Sequence, residues 1–526
     1  MARTLRAAWL GAASTAVLMA GAASAQHLTM AVGAPVTSLD PHYHQLSPNN
    51  AVADMIFDKL TQVDAASRLE PGLAESYRPV AENVWEFKLR PGVRFHNGNP
   101  LTADDVAFTF ERIPTVPNSP SSFAVYTRPF RNVEVVDPLT LRITTDGPYP
   151  LMPIDMTNLR ILDRETHEGA TTERFNSGEL AIGTGPWKVV SYRNGDRLEL
   201  VRNDDYWGPK PAFANVTYRM ITNDATRTAS LLAGDVDVID QVPTADLAKL
   251  RADSRVTLSE RVGLRIVYLW LDHEHTDPSP FVVDNNGQPI AHNPLKDVRV
   301  RRALNIGIDR DAIVSRVMEG AAIPSGQFLP TTSFGAMPDY PAPGYDPEAA
   351  KKLLAEAGFP QGFRITLHGP NDRYINDARI IQAIGQMWTR IGVRTQVEAQ
   401  TWSTFVGRAG KGELSAFLIG WGSSGGEASN PLRNLIHTPD RDRGLGASNR
   451  GRYSNPEVDA LIEKAIRELD DEKREALLRQ ASKMALDDVA MIPLHIQTNI
   501  WASRKGFVHE ARADELTRAQ DTRPAQ

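Results

Sequence analysis

The chain has 526 residues, a formal net charge of −6 and no cysteine, which excludes disulfides, zinc–thiolate centres and cysteine nucleophiles. Its mildly acidic, interspersed charge argues against a nucleic-acid partner, which needs a basic face. The length is sufficient for two or three lobes of ~100–200 residues, each with its own apolar core.

The N-terminus has the pattern of an export signal. Arg3 and Arg6 precede an apolar, small-residue run over residues 7–22, and Ala23-Ser24-Ala25 has the form of a signal peptidase site. We therefore predict a signal peptide over residues 1–25, cleaved after Ala25. A membrane anchor is the alternative, but the run has about 16 residues against the ~20 that span a bilayer. No other run is long and apolar enough, so the chain is predicted not to span the membrane.

A strand, two turns and a capped helix follow one another in the segment WEFKLRPGVRFHNGNPLTADDVAFTFERI. Apolar residues alternate over 85–89 with the period of a strand, and the pairs at 91–92 and 97–98 favour turns. Thr102 and Asp105, three positions apart, predict a capping box, and the apolar residues that follow share one helical face.

Two hairpins and an α/β unit come next. The paired strands are predicted over 133–136 with 139–143 and over 187–192 with 198–201. A helix that starts at Asp224 and stops at Gly234 leads directly into a strand over 236–239. This order of helix, glycine and strand favours an α/β lobe.

The second half of the chain is more helical. Side chains that can cap a following helix stand at five positions: Asp297, Asp309, Asp346, Asn455 and Asp470. A short apolar run over 416–419 predicts a buried strand, and residues 492–496 predict a strand that returns after the last helix.

Candidate catalytic and metal motifs are weak. Residues 272–275 (DHEH) with Asp277 offer ligand types for zinc or nickel, but neighbouring strand residues point to opposite faces. A solvated loop is therefore favoured, with a metal site as the alternative. Gly183 and Gly185 precede a strand, so they do not form a dinucleotide turn. We predict no enzyme activity and no cofactor; a secreted hydrolase is the minor alternative.

A series of ordered blocks resembles the family 5 extracytoplasmic solute-binding proteins, the peptide- and nickel-binding components of ABC importers. The resemblance extends from about Leu39 to about Ala502 and includes the strand–turn–helix segment described above. The other blocks are PGLAES, GTGPWKVVSY, DRLELVRNDDYW, LLAGDVDVID, DVRVRRALNIGIDR, YDPEAAKKLLAEAGFP, YSNPEVDALIEKA and IPLH. One block alone would be weak, but the whole series in order is specific.

The resemblance implies an α/β fold of the bilobal type II periplasmic-binding-protein kind, with an extra subdomain in lobe I (cluster C-like). The implied divisions are lobe I over 26–271 plus 492–526, its extra subdomain over about 60–170, and lobe II over 272–491. Two chain crossings, near 269–271 and 492–494, would form the hinge between the lobes.

The resemblance also implies a function and partners. The protein would be a periplasmic receptor that captures a peptide or peptide-like solute and delivers it to an ABC transporter permease heterodimer with cytoplasmic ATPases. The alternative is a receptor for a nickel chelate, haem, an opine or an oligosaccharide. A monomer is the expected state, and no nucleic acid is expected as a partner.

The segment GWGSSGGE at 420–427 follows a predicted strand, and ligands of α/β sheets bind at the carboxyl ends of strands. Trp421 is predicted to stack on the ligand, with a structural tryptophan as the alternative. In peptide-binding relatives a motif G-W-x-x-D supplies an Asp for the ligand α-ammonium, whereas this chain has Ser424. Ser424 is itself predicted to be a ligand-binding residue. For the amine, either Glu427 substitutes for that Asp, or the ligand lacks a free amine.

Three further ligand-binding candidates come from the resemblance. Arg373 matches the position where dipeptide-binding relatives carry an arginine for the ligand carboxylate, and a guanidinium can make two parallel hydrogen bonds to it. The alternative is a surface arginine paired with Asp372 or Asp377. Tyr43 and His44 lie in a loop that faces the cleft in relatives; alternatively, Tyr43 packs and His44 is solvated.

Overall fold

The computed structural model describes residues 27–275, 278–423 and 425–525. The predicted signal peptide and its cleavage site lie outside these residues and stay predictions. The strands are β1 His27–Val32, β2 Thr61–Val63, β3 Leu69–Pro71, β4 Ala74–Ala81, β5 Val84–Leu89, β6 Phe130–Asp137, β7 Thr140–Thr145, β8 Trp187–Arg193, β9 Arg197–Arg202, β10 Asn215–Met220, β11 Val238–Ile239, β12 Val256–Leu271, β13 Val282–Val283, β14 Ala322–Pro324, β15 Arg364–Pro370, β16 Arg394–Gln400, β17 Ala416–Gly422, β18 Ile492–Arg504, β19 Phe507–His509 and β20 Thr522–Pro524.

The helices are distributed along the whole described chain. They are α1 Ser47–Ile56, α2 Ala103–Arg112, α3 Ala124–Thr127, α4 Met152–Asp155, α5 Arg164–His167, α6 Thr172–Asn176, α7 Asp224–Ala233, α8 Thr244–Ala252, α9 Val298–Ile306, α10 Arg310–Ala312, α11 Pro347–Glu356, α12 Asp377–Arg390, α13 Trp402–Gly410, α14 Ser429–Pro431, α15 Pro456–Ala465 and α16 Asp471–Asp487. Short 3-10 turns cover Ile113–Thr115, Met156–Asn158, Pro294–Lys296 and Ala519–Asp521, and π-helical turns cover Ile313–Val317 and Leu432–Ile436. Within the described ranges, none of the helices has both the length and the apolar character that a bilayer crossing requires.

The largest sheet joins twelve strands around the antiparallel pair β12 and β18. This pairing runs from Val256 opposite Arg504 to Leu269 opposite Ile492. Beyond β12 the order continues with β17, β15 and β13, and beyond β18 it continues with β11, β1, β10, β9 and β8. The two long strands therefore connect both ends of the sheet.

Apolar side chains form separate cores around these strands. The large core contains residues of β17, the second half of β12 and helices α9, α12, α15 and α16. The N-terminal core is built from β1, α1 and β8 to β10, together with Trp501. A four-stranded sheet, in the order β4-β5-β7-β6, has its own core with α2, which we call the small-sheet core.

The local signals of the sequence hold in detail. Thr102 and Asp105 form the reciprocal capping box of α2, because each side chain receives a backbone N–H of the other residue. Gly92 and Gly98 have φ values of 79° and 95°, which glycine adopts without steric cost. The five predicted capping residues Asp297, Asp309, Asp346, Asn455 and Asp470 all accept a backbone N–H of their helix. These predictions are confirmed.

Strand lengths differ from the prediction where a distant partner decides them. Because β12 pairs with β17 as far as Arg265 opposite Gly422, β17 continues through Trp421 instead of ending at residue 419. The strand predicted over 236–239 is reduced to Val238–Ile239, whose partners are β1 and β18. The ends of these strands are set by pairing with distant strands, which cannot be predicted from the local sequence pattern.

Candidate functional site

A cavity of about 740 Å³ is lined by β12 and β17 of the large sheet, by residues in and around α1, and by segments near the small-sheet core. Its wall combines residues 44–63 and 120–160, β12 at Leu264 and Arg265, residues 373–450 of the large-core side, and the C-terminal segment 513–516. The volume lies within the ~300–1,000 Å³ that small-molecule sites occupy. Since segments distant in sequence all contribute, the cavity depends on how the cores are placed.

Trp421 stands at the end of β17 and lines the cavity. Its indole N–H donates to Asn430 Oδ1 at 2.8 Å, and Asn430 also lines the cavity. The side chain is half-buried and packs against the large core, so one part of the ring is fixed. This arrangement presents a rigid aromatic surface at the wall, as the stacking hypothesis requires.

Arg373 follows β15 and contributes an unpaired cation to the wall. Its guanidinium carbon lies 5.2 Å from the ring centre of Tyr374 and 5.7 Å from that of Trp402. Within the described residues, no carboxylate forms an ion pair with it. Asp377 instead receives the backbone N–H groups of Arg373 and Tyr374, both at 3.0 Å, and Asp372 receives that of Trp402. Pairing of Arg373 with either aspartate is therefore contradicted.

The surroundings of Arg373 oppose its charge. Burial lowers the pKa of the Arg373 guanidinium, and the nearby charge of Arg265 lowers it further. Its two aromatic neighbours offer cation–π attraction but no hydrogen-bond acceptor of carboxylate strength. An anionic group in the cavity would supply what the protein does not.

Arg450 is a second cation of the wall that the sequence motifs did not single out. Its guanidinium has no hydrogen bond or ion pair to any residue that the structure describes. The loop that carries it is held by Asn449, whose amide donates to the carbonyls of His437 at 3.0 Å and Tyr453 at 2.8 Å. Arg450 is thus placed by a buried clamp one residue away.

The acids of the wall are already paired with cations of the protein. Asp54 receives Lys59 at 2.7 Å and Arg160 at 2.6 Å. Glu515 accepts two bonds from Arg265, one of them at 2.8 Å. Burial alone would raise the pKa of Glu515, but the Arg265 guanidinium holds it down to about 2.

The remaining acid of the wall follows the same pattern. Asp514 receives Arg512 in a bond of 2.6 Å. No acid among the described lining residues therefore stays free for a ligand cation.

The other predicted ligand residues have different surroundings. His44 lines the cavity, and burial together with the charge of Arg373 lowers its pKa. Tyr43 is not part of the described wall, and its ring lies edge-on to His44 at 6.5 Å. Glu427 is buried away from the wall, in an ion pair with Arg474 and a hydrogen bond from Ser429 at 2.7 Å. Ser424 lies outside the described residues, so its role stays a prediction.

The acidic and histidine segment at 272–275 is engaged in local bonds. His273 Nε2 donates to the carbonyl of Ala490 at 2.9 Å, and His275 Nδ1 lies 3.0 Å from Asp272. Asp277 lies outside the described residues. Among all residues that the structure describes, this segment included, no group of three or more His, Cys, Asp or Glu side chains could hold a metal ion.

Known proteins share this architecture. Residues 68–442 match the bacterial extracellular solute-binding proteins, family 5 Middle. The chain is 32% identical over 482 residues to heme-binding protein A of Haemophilus influenzae, with 85% of this chain and 82% of that protein covered. It is 28% identical over 458 residues to the dipeptide-binding protein of Escherichia coli strain K12, with 81% and 80% covered.

One solved structure shows the same fold over almost the entire chain. The ABC transporter-associated periplasmic binding protein DppA from Helicobacter pylori, in complex with the peptide STSA, superposes with a TM-score of 0.82. The superposition covers 95% of this chain and 98% of that one at 24% sequence identity. The predicted α/β, cluster C-like fold class is confirmed.

Proposed function

The chain belongs to the bacterial extracellular solute-binding proteins of family 5, and on that basis we propose that it captures a peptide or peptide-like solute and delivers it to an ABC importer. The partner would be a permease heterodimer driven by cytoplasmic ATPases. As a member of this family of receptors, the protein is not an enzyme. We propose that the protein is located in the periplasm and is exported by the signal peptide predicted at residues 1–25.

The observation that carries this proposal is the unpaired guanidinium of Arg373 inside a cavity of about 740 Å³. A ligand carboxylate can accept two parallel hydrogen bonds from it, and the half-buried ring of Trp421 offers a stacking surface in the same cavity. Backbone groups and bridging waters would satisfy the ligand main chain and leave its side chains loosely selected.

Capture is proposed to work by a shift between open and closed arrangements of two lobes. We place lobe I at 26–271 plus 492–526, with its extra subdomain at about 60–170, and lobe II at 272–491. The separate cores on either side of β12 and β18, and a cavity wall drawn from both parts, support this division. A ligand that contacts both lobes favours closure by its differential affinity for the closed state.

Native mass spectrometry and small-angle scattering on protein purified from its own host test the proposal. We expect a retained small molecule in the first experiment. After removal of the ligand by unfolding and refolding, adding the identified molecule should reduce the radius of gyration. A particle of constant size that gives no binding heat with broad solute panels would contradict a receptor of this kind.

A non-peptide solute, such as a nickel chelate, haem, an opine or an oligosaccharide, is the second candidate. It is supported by Ser424 at the position of the amine-binding Asp in peptide-binding relatives, and by the paired state of the described acids in the cavity wall. One similar protein is named a heme-binding protein. The mass of the retained molecule separates the two candidates directly.

A further inference from the structure

The charges of the cavity wall are unbalanced. Six cations line it, namely Lys59, Arg128, Arg160, Arg265, Arg373 and Arg450, against the three anions Asp54, Asp514 and Glu515. All three anions are in ion pairs with protein cations. The excess of positive charge therefore faces the space that a ligand would occupy.

The cations differ in how far the protein satisfies them. Lys59 and Arg160 pair with Asp54, Arg265 pairs with Glu515, and Arg128 donates to the carbonyl of Arg441 at 2.7 Å. The guanidiniums of Arg373 and Arg450 are left without a hydrogen-bond acceptor among the described residues. A cation at a cavity wall that has no acceptor from the protein attracts an anion, so a site that keeps two of them gains most from an anionic ligand.

A zwitterionic ligand finds no matching group on the described wall. An α-ammonium needs a carboxylate that can approach it, and the buried Glu427 is engaged with Arg474 and Ser429. Within the proposed receptor function, on which this step rests, we infer that the cavity selects a peptide-like dianion. One carboxylate binds Arg373, a second acidic group binds Arg450, and no free amine is required.

Four pools of matched tripeptides test this inference by isothermal titration and native mass spectrometry. Three pools have the same sequences with a central glutamate and differ in their termini: both termini free, the N-terminus acetylated, or the C-terminus amidated. The fourth pool has free termini and glutamine in place of the central glutamate. We expect the acetylated pool to bind at least as well as the free pool. The amidated and glutamine pools should each bind about tenfold more weakly, since each lacks one charged acceptor.

Variants assign the second acid to its residue. In Arg450→Ala the preference for glutamate over glutamine should disappear, whereas the affinity for the glutamine pool should change by less than about twofold. Arg394→Ala is the matched control, because Arg394 is an exposed arginine of the same half of the chain and is not part of the wall. It should retain the preference in full.

Other results of these experiments would overturn the dianionic ligand but not necessarily the receptor function. Capture confined to pools with a free amine, or an unchanged glutamate preference in Arg450→Ala, overturns the dianion and leaves the peptide receptor standing. Failure of every pool also overturns the dianion. If the protein from its host then carries a non-peptide molecule, the receptor function survives with the second class of ligand.

Discussion

Arg433, which is not part of the cavity wall, differs from the wall residues Arg373 and Arg450 in having an anionic partner supplied by the protein. Arg433 joins the large-core side to the small-sheet core: it donates to Asp155 at 2.6 Å and to the hydroxyl of Tyr149 at 2.9 Å. We call these three residues the Arg433 cluster. Arg373 and Arg450, the cavity arginines, have no such partner among the described residues.

The electrostatics of the two groups differ accordingly. Burial acts to lower the pKa of Arg433, but Asp155 and Tyr149 reverse this and raise it. At Arg373 burial and the repulsion from Arg265 both lower the pKa of the guanidinium, and the attraction of Tyr374, Glu515 and Asp377 does not reverse this. A buried charge is tolerated when it is paired, so an unpaired one beside a cavity indicates that its partner comes from outside.

The largest effect is expected from breaking the Arg433 cluster. Removal of one partner from a buried ion pair costs about 3–5 kcal/mol, because the other charge is left without compensation. Since Arg433 and Asp155 belong to different cores, an open arrangement would return Asp155 to water. We expect Arg433→Ala to weaken ligand binding strongly without touching the ligand, and to enlarge the radius of gyration in small-angle scattering.

A paired substitution separates this effect from simple unfolding. Arg433→Met combined with Asp155→Leu replaces the ion pair by apolar contact, and such replacements are often neutral in stability. The double variant should recover compactness and most of the affinity. If Arg433→Ala alone binds and scatters like the parent protein, the cluster has no part in closure.

Removal of a cavity arginine should weaken binding directly, without the loss of compactness expected for Arg433→Ala. Arg373→Ala is expected to weaken a carboxylate ligand by more than about tenfold, or about 1.4 kcal/mol. The unliganded protein should unfold at an unchanged or higher temperature, because a cation without an ion-pair partner has been removed. Arg373→Lys keeps the charge but loses the planar guanidinium, so its affinity for the ligand should lie between those of the parent protein and Arg373→Ala.

Calorimetry with the retained ligand and thermal unfolding without it measure both halves of this prediction. Arg394→Ala serves as the control, with both quantities expected to match the parent protein. A parental affinity in Arg373→Ala would remove Arg373 from the site, and a marked loss of stability would mean that its role is structural.

The comparison also shows what the sequence could and could not predict. Helix caps such as Asp346 and Asn455 were predictable because the capped N–H groups lie two or three residues away. The position of Arg373 came from the family resemblance, and the structure places it at the cavity wall. Its lack of an ion-pair partner could not be predicted, because Asp372 and Asp377 lie within four residues of it but accept backbone N–H groups instead.

Arg450 and Glu427 illustrate the same limit from two sides. Arg450 lies in a loop without a motif, and only the clamp by Asn449 and the folded wall reveal it. Glu427 was a reasonable substitute for the missing Asp at Ser424, but Arg474, distant in sequence, occupies its carboxylate in the structure. Charge pairing between remote segments has no local signature, so site residues of this kind require the fold.

A smaller effect is expected at Trp421, which is neutral and shared between wall and core. Trp421→Phe removes the indole bond to Asn430, so the ring is held less firmly, and should cost about 0.5 kcal/mol of binding free energy. Trp421→Ala also removes the aromatic surface and should cost about 1 kcal/mol of binding free energy. Equal affinities of the phenylalanine and alanine variants would show that stacking contributes nothing, and equality of both with the parent would exclude contact with the ligand.

The smallest effect on ligand affinity is expected at His44. The pKa of its ring depends on the charge of Arg373. Burial lowers the pKa of His44 below its ordinary value of 6.5, and the charge of Arg373 lowers it further. The unfolded chain therefore takes up this proton first as the pH falls below 6.5, so His44 makes the folded state less stable in acid. Because its ring is neutral on both sides of pH 7, ligand affinity should change by less than about twofold between pH 8 and pH 7.

Nuclear magnetic resonance of the His44 ring makes this a direct test of the charge at Arg373. In Arg373→Ala the repulsion is lost while the burial of the histidine persists, so the pKa of His44 should rise without fully reaching 6.5. Arg394→Ala should leave the titration of His44 where it is. An unmoved pKa in Arg373→Ala would mean that no net charge acts on His44 from this position, which contradicts an unpaired guanidinium in the cavity.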